Sequence, residues 1–225
     1  MSAVEMDFTR QSDLVPNEIA KATSVSVIGV GAVGSHVLEV LTKVGITNIT
    51  MYDYDTVERH NVANQGFGLD EVGLLKTEAV RLRLLRTTGV DVKVVEGKIE
   101  ESFPFDTDIV ISAVDSMAVR KLLWEGVSDL RSTTQLWIDG RMGALYGVVF
   151  SIPLEDMRKV GLYSATLHSD AEGIQAPCSA KATIFCPWWM ASMMGATVMK
   201  HVAGIEQPTY RLDMSFEDNK LLRFC

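Results

Sequence analysis

The chain is poor in cysteine and has no surplus of positive charge, and each shortage excludes a class of function. Among its 225 residues only Cys178, Cys186 and Cys225 carry thiols, widely spaced and with no C-x-x-C pair. Neither a disulfide framework nor a four-cysteine zinc site can be assembled from them. A formal charge of −8 gives no general attraction to polyphosphate or to an anionic membrane, so nucleic acid and membrane are disfavoured as partners. The segment Met1–Pro16 has no basic region followed by an apolar stretch, so no secretory signal is read there and a cytoplasmic location is expected. The four histidines, at 36, 60, 168 and 201, show no ligand spacing. Repeats, low-complexity tracts and linkers are missing too, and residues 1–225 read as one domain with a single substantial core.

One apolar run, Ile184–Ala203, approaches the length of a membrane span. Pro187 near its start, Lys200 and His201 in its last turn and Gly204 beyond it are instead the boundary signals of a buried helix, in the core or at a dimer interface.

Periodicity sets out the rest. Ser24–Val30 is a β-branched strand that runs into glycines, and Ala32–Val44 carries apolar residues at helical spacing until Gly45. Strands are expected at Asn48–Tyr52, Asp91–Glu96, Asp108–Ala113, Gln135–Asp139 and Ala144–Ile152. Helices are expected at Leu74–Thr88 and after the Asp108–Ala113 strand through about Ser128. Pro153–Pro177 reads as a long polar crossover loop, and Thr209–Met214 with Lys220–Phe224 as a small terminal hairpin. The alternation predicts an α/β, Rossmann-like doubly wound fold, with a mainly parallel sheet, helices on both faces and a small C-terminal β element.

Gly29-Val-Gly31-Ala-Val-Gly34 lies where the first strand meets the first helix. There glycines permit a tight turn and close phosphate approach, and the helix N-terminus offers free N–H groups. Asp53, at the tip of the second strand, is placed for ribose hydroxyls. These features alone would suit a nicotinamide-dependent oxidoreductase.

The next segment points elsewhere. Asp53-Tyr-Asp55-Thr-Val-Glu58-Arg-His-Asn61-Val-Ala-Asn64-Gln65, followed by Gly73-Leu-Leu-Lys76, resembles the D-x-D-x-V-x-x-S-N-L-N-R-Q-F … G-x-x-K signature of the ThiF/MoeB/HesA family of ubiquitin-activating-like adenylyltransferases. Arg10-Gln11 stands where that family has its N-terminal R-Q, and Ala113-Val-Asp115-Ser116 where it has T-D-N. Cys178 to Pro187 is similar to its C-x-x-x-G-V-x-x-P, and the apolar helix ends in the same K-x-x-x-G at Lys200–Gly204.

The resemblance implies an enzyme that binds ATP with Mg²⁺ and activates a carboxylate as its acyl-adenylate. The commonest family acceptor is the C-terminal glycine of a ubiquitin-like or sulfur-carrier protein. Gly29, Gly31 and Gly34 would hold the phosphates, Asp53 the ribose, Lys76 the phosphates in flight and Asp115 the Mg²⁺. Asp55, Asn61 and Gln65 would complete the nucleotide site, and Arg10 would act on the neighbouring subunit of a homodimer. Cys178 stands where some members form a covalent adduct with the activated partner.

Plainer roles are open for several of these residues. Lys76 could be a solvated surface lysine, Asp115 the cap of the following helix, Asp55 and Asn61 a turn and a cap, Cys178 a packing residue, and Cys186 an inert one. One departure stands out: the family's phosphate-binding arginine is Asn64 here. Arg59, Arg120 and Arg141 are candidate replacements. If none serves, the chain reads as a non-catalytic partner subunit.

Overall fold

Strand β1 (Ser24–Ile28) is buried from Val25 onward on both faces, as the middle strand of a covered parallel sheet must be. In the computed structural model, which describes residues 6–168, 183–206 and 209–225, it lies inside a single eight-stranded sheet. Strand β2 (Asn48–Asp53) pairs with it in parallel on one side and carries β3 (Lys93–Glu96) beyond. On the other side β4 (Ile109–Ser112) and then β5 (Leu136–Met142) follow, also in parallel. The antiparallel strands β6 (Tyr146–Pro153), β7 (Arg211–Ser215) and β8 (Lys220–Phe224) complete the order β3-β2-β1-β4-β5-β6-β7-β8.

The expected α/β doubly wound fold is therefore present, with two refinements. The terminal hairpin is no separate element, because β7 pairs with β6 and continues the main sheet. The stretch read as a loop from Pro153 contains a helix, α5 (Met157–Ser164), capped by the Asp156 carboxylate on the Lys159 amide. Tyr163 of α5 is buried and Val160 packs half-buried beside it, a helical spacing too short, over eight residues in a polar stretch, to stand out in the sequence. The short helix α1 (Asn17–Ala22) is a further element beyond the expected ones, with one buried residue, Ala20.

Helices α2 (Gly34–Val44), α3 (Lys76–Thr88) and α6 (Phe185–Val202) supply one apolar layer over the sheet. Helix α4 (Met117–Ser128) and α5 supply the other, around Trp124, Trp137, Phe150 and Tyr163. α6 buries Met190, Met194 and Val198, and among the described residues no helix is long and apolar enough to cross a membrane.

The chain winds from β1 outward to β3, then returns beside β1 at β4. Crossovers leave opposite faces at that point, so a crevice opens at the C-terminal ends of β1 and β4.

Candidate functional site

A cavity of about 410 Å³ occupies that crevice, within the size range of small-molecule sites. Its glycines have different tasks. Gly29 has φ +89°, and a Cβ there would lie 2.7 Å from the Ala113 carbonyl oxygen. A Cβ on Gly34 would lie 1.8 Å from the carbonyl oxygen of Gly29, so only glycine lets α2 start this close to the loop. Gly31 faces open space, its nearest neighbour being Gln65 Oε1 at 4.0 Å. Gly29 and Gly31 line the cavity, whereas Gly34, expected on phosphate, is buried behind the wall.

Asp53 braces this loop: its Oδ2 accepts from the Val30 amide at 2.6 Å and its Oδ1 from the Asp55 amide at 2.8 Å. The Asp55 carbonyl then accepts from the Lys76 amide at 2.9 Å, and Lys76 Nζ pairs with Asp55 Oδ2 at 2.9 Å. Lys76 is buried in the cavity wall, so the solvated-surface alternative does not hold. Asp55 is both a turn residue and a lining residue.

Asp115 also lines the cavity. It is not the cap of α4: that role belongs to Ser116, whose Oγ accepts from the Val119 amide at 3.3 Å. The Asp115 carboxylate is exposed, with no hydrogen bond or ion pair to the described residues. No group of three potential metal ligands exists among those residues. A lone carboxylate fits Mg²⁺, which keeps waters and takes its other oxygens from phosphates.

Asn64 and Gln65 line the same wall, and their side-chain carbonyl oxygens are buried without a hydrogen-bond partner among the described residues. Unpartnered buried amides beside open glycine backbone fit a polar ligand that supplies the missing bonds. Asn61 does not reach the cavity. It is buried, and its Oδ1 accepts from the Glu58 amide at 2.8 Å in a capping box.

The candidate replacement arginines fall elsewhere. Arg59 is exposed on a 3-10 helix off the cavity. Arg120 and Arg141 both pair with Asp139, each at 2.8 Å, and neither guanidinium lines the cavity. Lys98, overlooked in the sequence, does line it, with its Nζ 4.9 Å from the Tyr54 ring centroid. Its place just past the end of β3 was the available signal, since such strand ends surround ligands. Against Lys76 and Lys98 stand Asp53, Asp55, Glu100 and Asp115, so the lining carries a net charge of −2.

Arg10 is exposed on the 3-10 helix Thr9–Gln11. Gln11 Nε2 donates to the carbonyls of Lys43 (3.3 Å) and Val44 (3.0 Å), which anchors this helix at the C-terminal end of α2. The glycine loop is at the other end, about 16 Å away at 1.5 Å per residue. Cys178 lies outside the described residues. Cys186 is buried, its thiol pushed up to about 12 by burial, which keeps it protonated and inert near neutral pH.

The sequence pattern of the ThiF family matches residues 9–224. Ubiquitin-like modifier-activating enzyme 5 of Oryza sativa subsp. japonica is 32% identical over 128 residues, 49% of this chain and 30% of that protein. The Aedes aegypti enzyme of the same name is 33% identical over 132 residues, covering 50% of this chain and 33% of its own length. The chain thus spans about a third of the length of these relatives. E. coli MccB crystallised with ATP has a TM-score of 0.72 at 18% identity, covering 92% of this chain and 65% of MccB. PaaA has a TM-score of 0.68 at 19% identity, covering 92% and 74%. At such identities the likeness establishes a shared fold.

Proposed function

Because the chain belongs to the ThiF family across residues 9–224, we propose that it adenylates a carboxylate, using ATP and Mg²⁺ in the β1–β4 crevice. One observation carries the reading: Lys76 is buried in the cavity wall and paired with Asp55 at 2.9 Å, in the same cavity as Asp115 and the open backbone of Gly31. A nicotinamide-dependent oxidoreductase would leave Lys76 and Asp115 unexplained. A carboxylate oxygen attacks the α-phosphorus, the bond to the β-phosphate oxygen breaks and pyrophosphate leaves. Lys76 offsets the charge growing on the phosphates, Asp115 holds the Mg²⁺, and Gly29 and Gly31 admit the phosphates to the backbone. Asp53 keeps lone pairs for ribose hydroxyls.

The acceptor we favour is the C-terminal glycine of a ubiquitin-like or sulfur-carrier protein. Relatives named ubiquitin-like modifier-activating enzymes support it. A cytoplasmic location, where ATP is supplied, suits this chemistry.

A lining of net −2 repels a polyphosphate unless cations enter from elsewhere. Mg²⁺ is one source, and Arg10 of a second copy is the other. A groove of about 1020 Å³ runs along the outer face of α2 past His36, Glu39, Val40 and Lys43, and shares Gln65 with the cavity. Two copies related by a two-fold axis, with their α2 helices antiparallel across this groove, bring each Arg10 helix to the partner's glycine-loop end. A homodimer is therefore part of the proposal. Asn64 and the negative lining favour a second reading, a partner subunit that binds a carrier without turnover. ATP–pyrophosphate exchange, screened against carrier proteins and small acids, separates the two: exchange supports the enzyme, and its absence with carrier binding supports the subunit.

A further inference from the structure

We propose that Arg120 is the positioning residue for Asp115, acting through the backbone of Val114; this rests on the reading of Asp115 as the Mg²⁺ carboxylate. Arg120 is 3% exposed and Asp139 fully buried. Arg120 Nε donates to Asp139 Oδ1 at 2.8 Å, and its Nη2 donates to the carbonyls of Val114 (2.6 Å) and Gly140 (3.3 Å). Those carbonyls lie beyond β4 and within β5, so one guanidinium ties together the two strand ends that floor the cavity. The other oxygen of Asp139 accepts from Arg141 Nε at 2.8 Å and from the Tyr163 hydroxyl at 3.0 Å. Held from three sides, the carboxylate cannot swing, and it fixes the guanidinium in turn.

Asp115 needs such a support. No bond to the described residues holds its side chain, and the hydroxyl of the next residue, Ser116, is committed to the α4 cap. Among the described residues the carboxylate is therefore aimed by its backbone and by the nearby Arg120 charge, and the bond from Arg120 to Val114 grips that backbone one residue away. A lysine keeps the charge but cannot span three acceptors with one nitrogen. Groups that orient a metal ligand typically change metal affinity by about 10- to 100-fold when removed.

The test is a Mn²⁺ titration, followed by electron paramagnetic resonance, of the full chain saturated with an α,β-methylene ATP analogue. Arg120→Lys is expected to weaken Mn²⁺ binding at least about ten-fold, while metal-free analogue affinity changes less than about two-fold. A purely structural role would lower the folded fraction and leave the Mn²⁺ affinity of the folded protein alone, so unchanged affinity overturns the inference. A wild-type measurement covers a variant that does not fold. Adding Mg²⁺ to the analogue complex should shift the Arg120 Nε–H resonance and leave that of exposed Arg131 in place; no Arg120 shift overturns the inference. Nucleotide binding without any Mn²⁺ uptake by the wild type would instead overturn the reading of Asp115, and the inference with it.

Discussion

Lys76 Nζ stands 2.9 Å from Asp55 Oδ2, yet the lysine side chain is only 9% exposed while the aspartate is 49% exposed. The pair is therefore lopsided, and removing one partner is not equivalent to removing the other. Lys76→Met leaves a carboxylate that water can reach, and should lower stability by no more than about 1 kcal/mol. Asp55→Ala leaves a buried ammonium unpaired and should lower it by about 2 kcal/mol, below the usual penalty for a fully buried pair because Asp55 is half-exposed. Exchange activity should order the variants oppositely, with Lys76→Met losing about 10²- to 10³-fold as a lost charge-stabilising donor does. Urea unfolding beside exchange assays checks both, and equal stability losses would refute the asymmetry.

Adjacent residues Asp115 and Ser116 should separate chemistry from helix capping. Ser116 caps α4 through the Val119 amide, so Ser116→Ala should lower stability by about 1 kcal/mol and retain exchange. Asp115→Asn should unfold at the wild-type temperature and lose exchange, because only an exposed carboxylate is altered. Thermal scans and exchange assays on both variants suffice. An active Asp115→Asn enzyme would remove the Mg²⁺ assignment.

What could be read in the sequence was local. Apolar period and glycine position announce β1, α2 and their junction, because a buried parallel strand and the α2 start each demand particular residues at consecutive positions. What could not be read depends on which distant side chains meet. Nothing near Arg120 in the chain says that Asp139 will take its charge, and the lateral place of Lys98 follows from β3 lying outside β2. Lys76 was legible as a candidate only through a motif; its burial comes from the backbone bonds linking Asp55 and Val57 to the Leu74–Lys76 segment. α5 is hard to read because its apolar face, Val160 and Tyr163, spans only one turn inside a polar stretch.

His36 should make the fold acid-sensitive. Burial first, then Arg83, push its imidazole down to about 4, with Glu39 opposing. In the unfolded chain it titrates near 6.5, so between those values the unfolded state binds the extra proton. The contribution is fully present above about pH 6.5 and is lost as the pH falls toward 4. It amounts to about 2 kcal/mol, discounted for the part of the ring that solvent reaches. His36 Nε2 has no hydrogen-bond partner among the described residues and the ring packs edge-on to Trp188 at 5.9 Å, so His36→Phe keeps the contact and should flatten this part of the profile. Denaturant unfolding at pH 7, 5.5 and 4.5 reads the slope directly; an unchanged slope would free His36 of this role.

The last prediction concerns Arg10, whose position forces a choice. Gln11 holds the Arg10 helix at the far end of α2 from the glycine loop, so Arg10 serves its own cavity only if that anchorage is abandoned. If it serves the partner's cavity, Arg10→Ala and Asp115→Asn are each inactive alone, but their defects fall in different sites when subunits mix. In a hybrid dimer the Arg10→Ala subunit keeps Asp115 and receives Arg10 from its partner, which makes one intact site. The other site carries both defects. Equal mixing gives half hybrids with half their sites intact, so exchange should recover to about a quarter of wild type under closed two-fold symmetry. The comparison needs subunit exchange demonstrated separately, with differently tagged chains recovered together. Recovery near a quarter places Arg10 in the partner's site and makes the dimer the smallest active unit. Demonstrated exchange with no recovery would leave Arg10 as a surface residue, and the net −2 lining would have to be offset by Mg²⁺ alone.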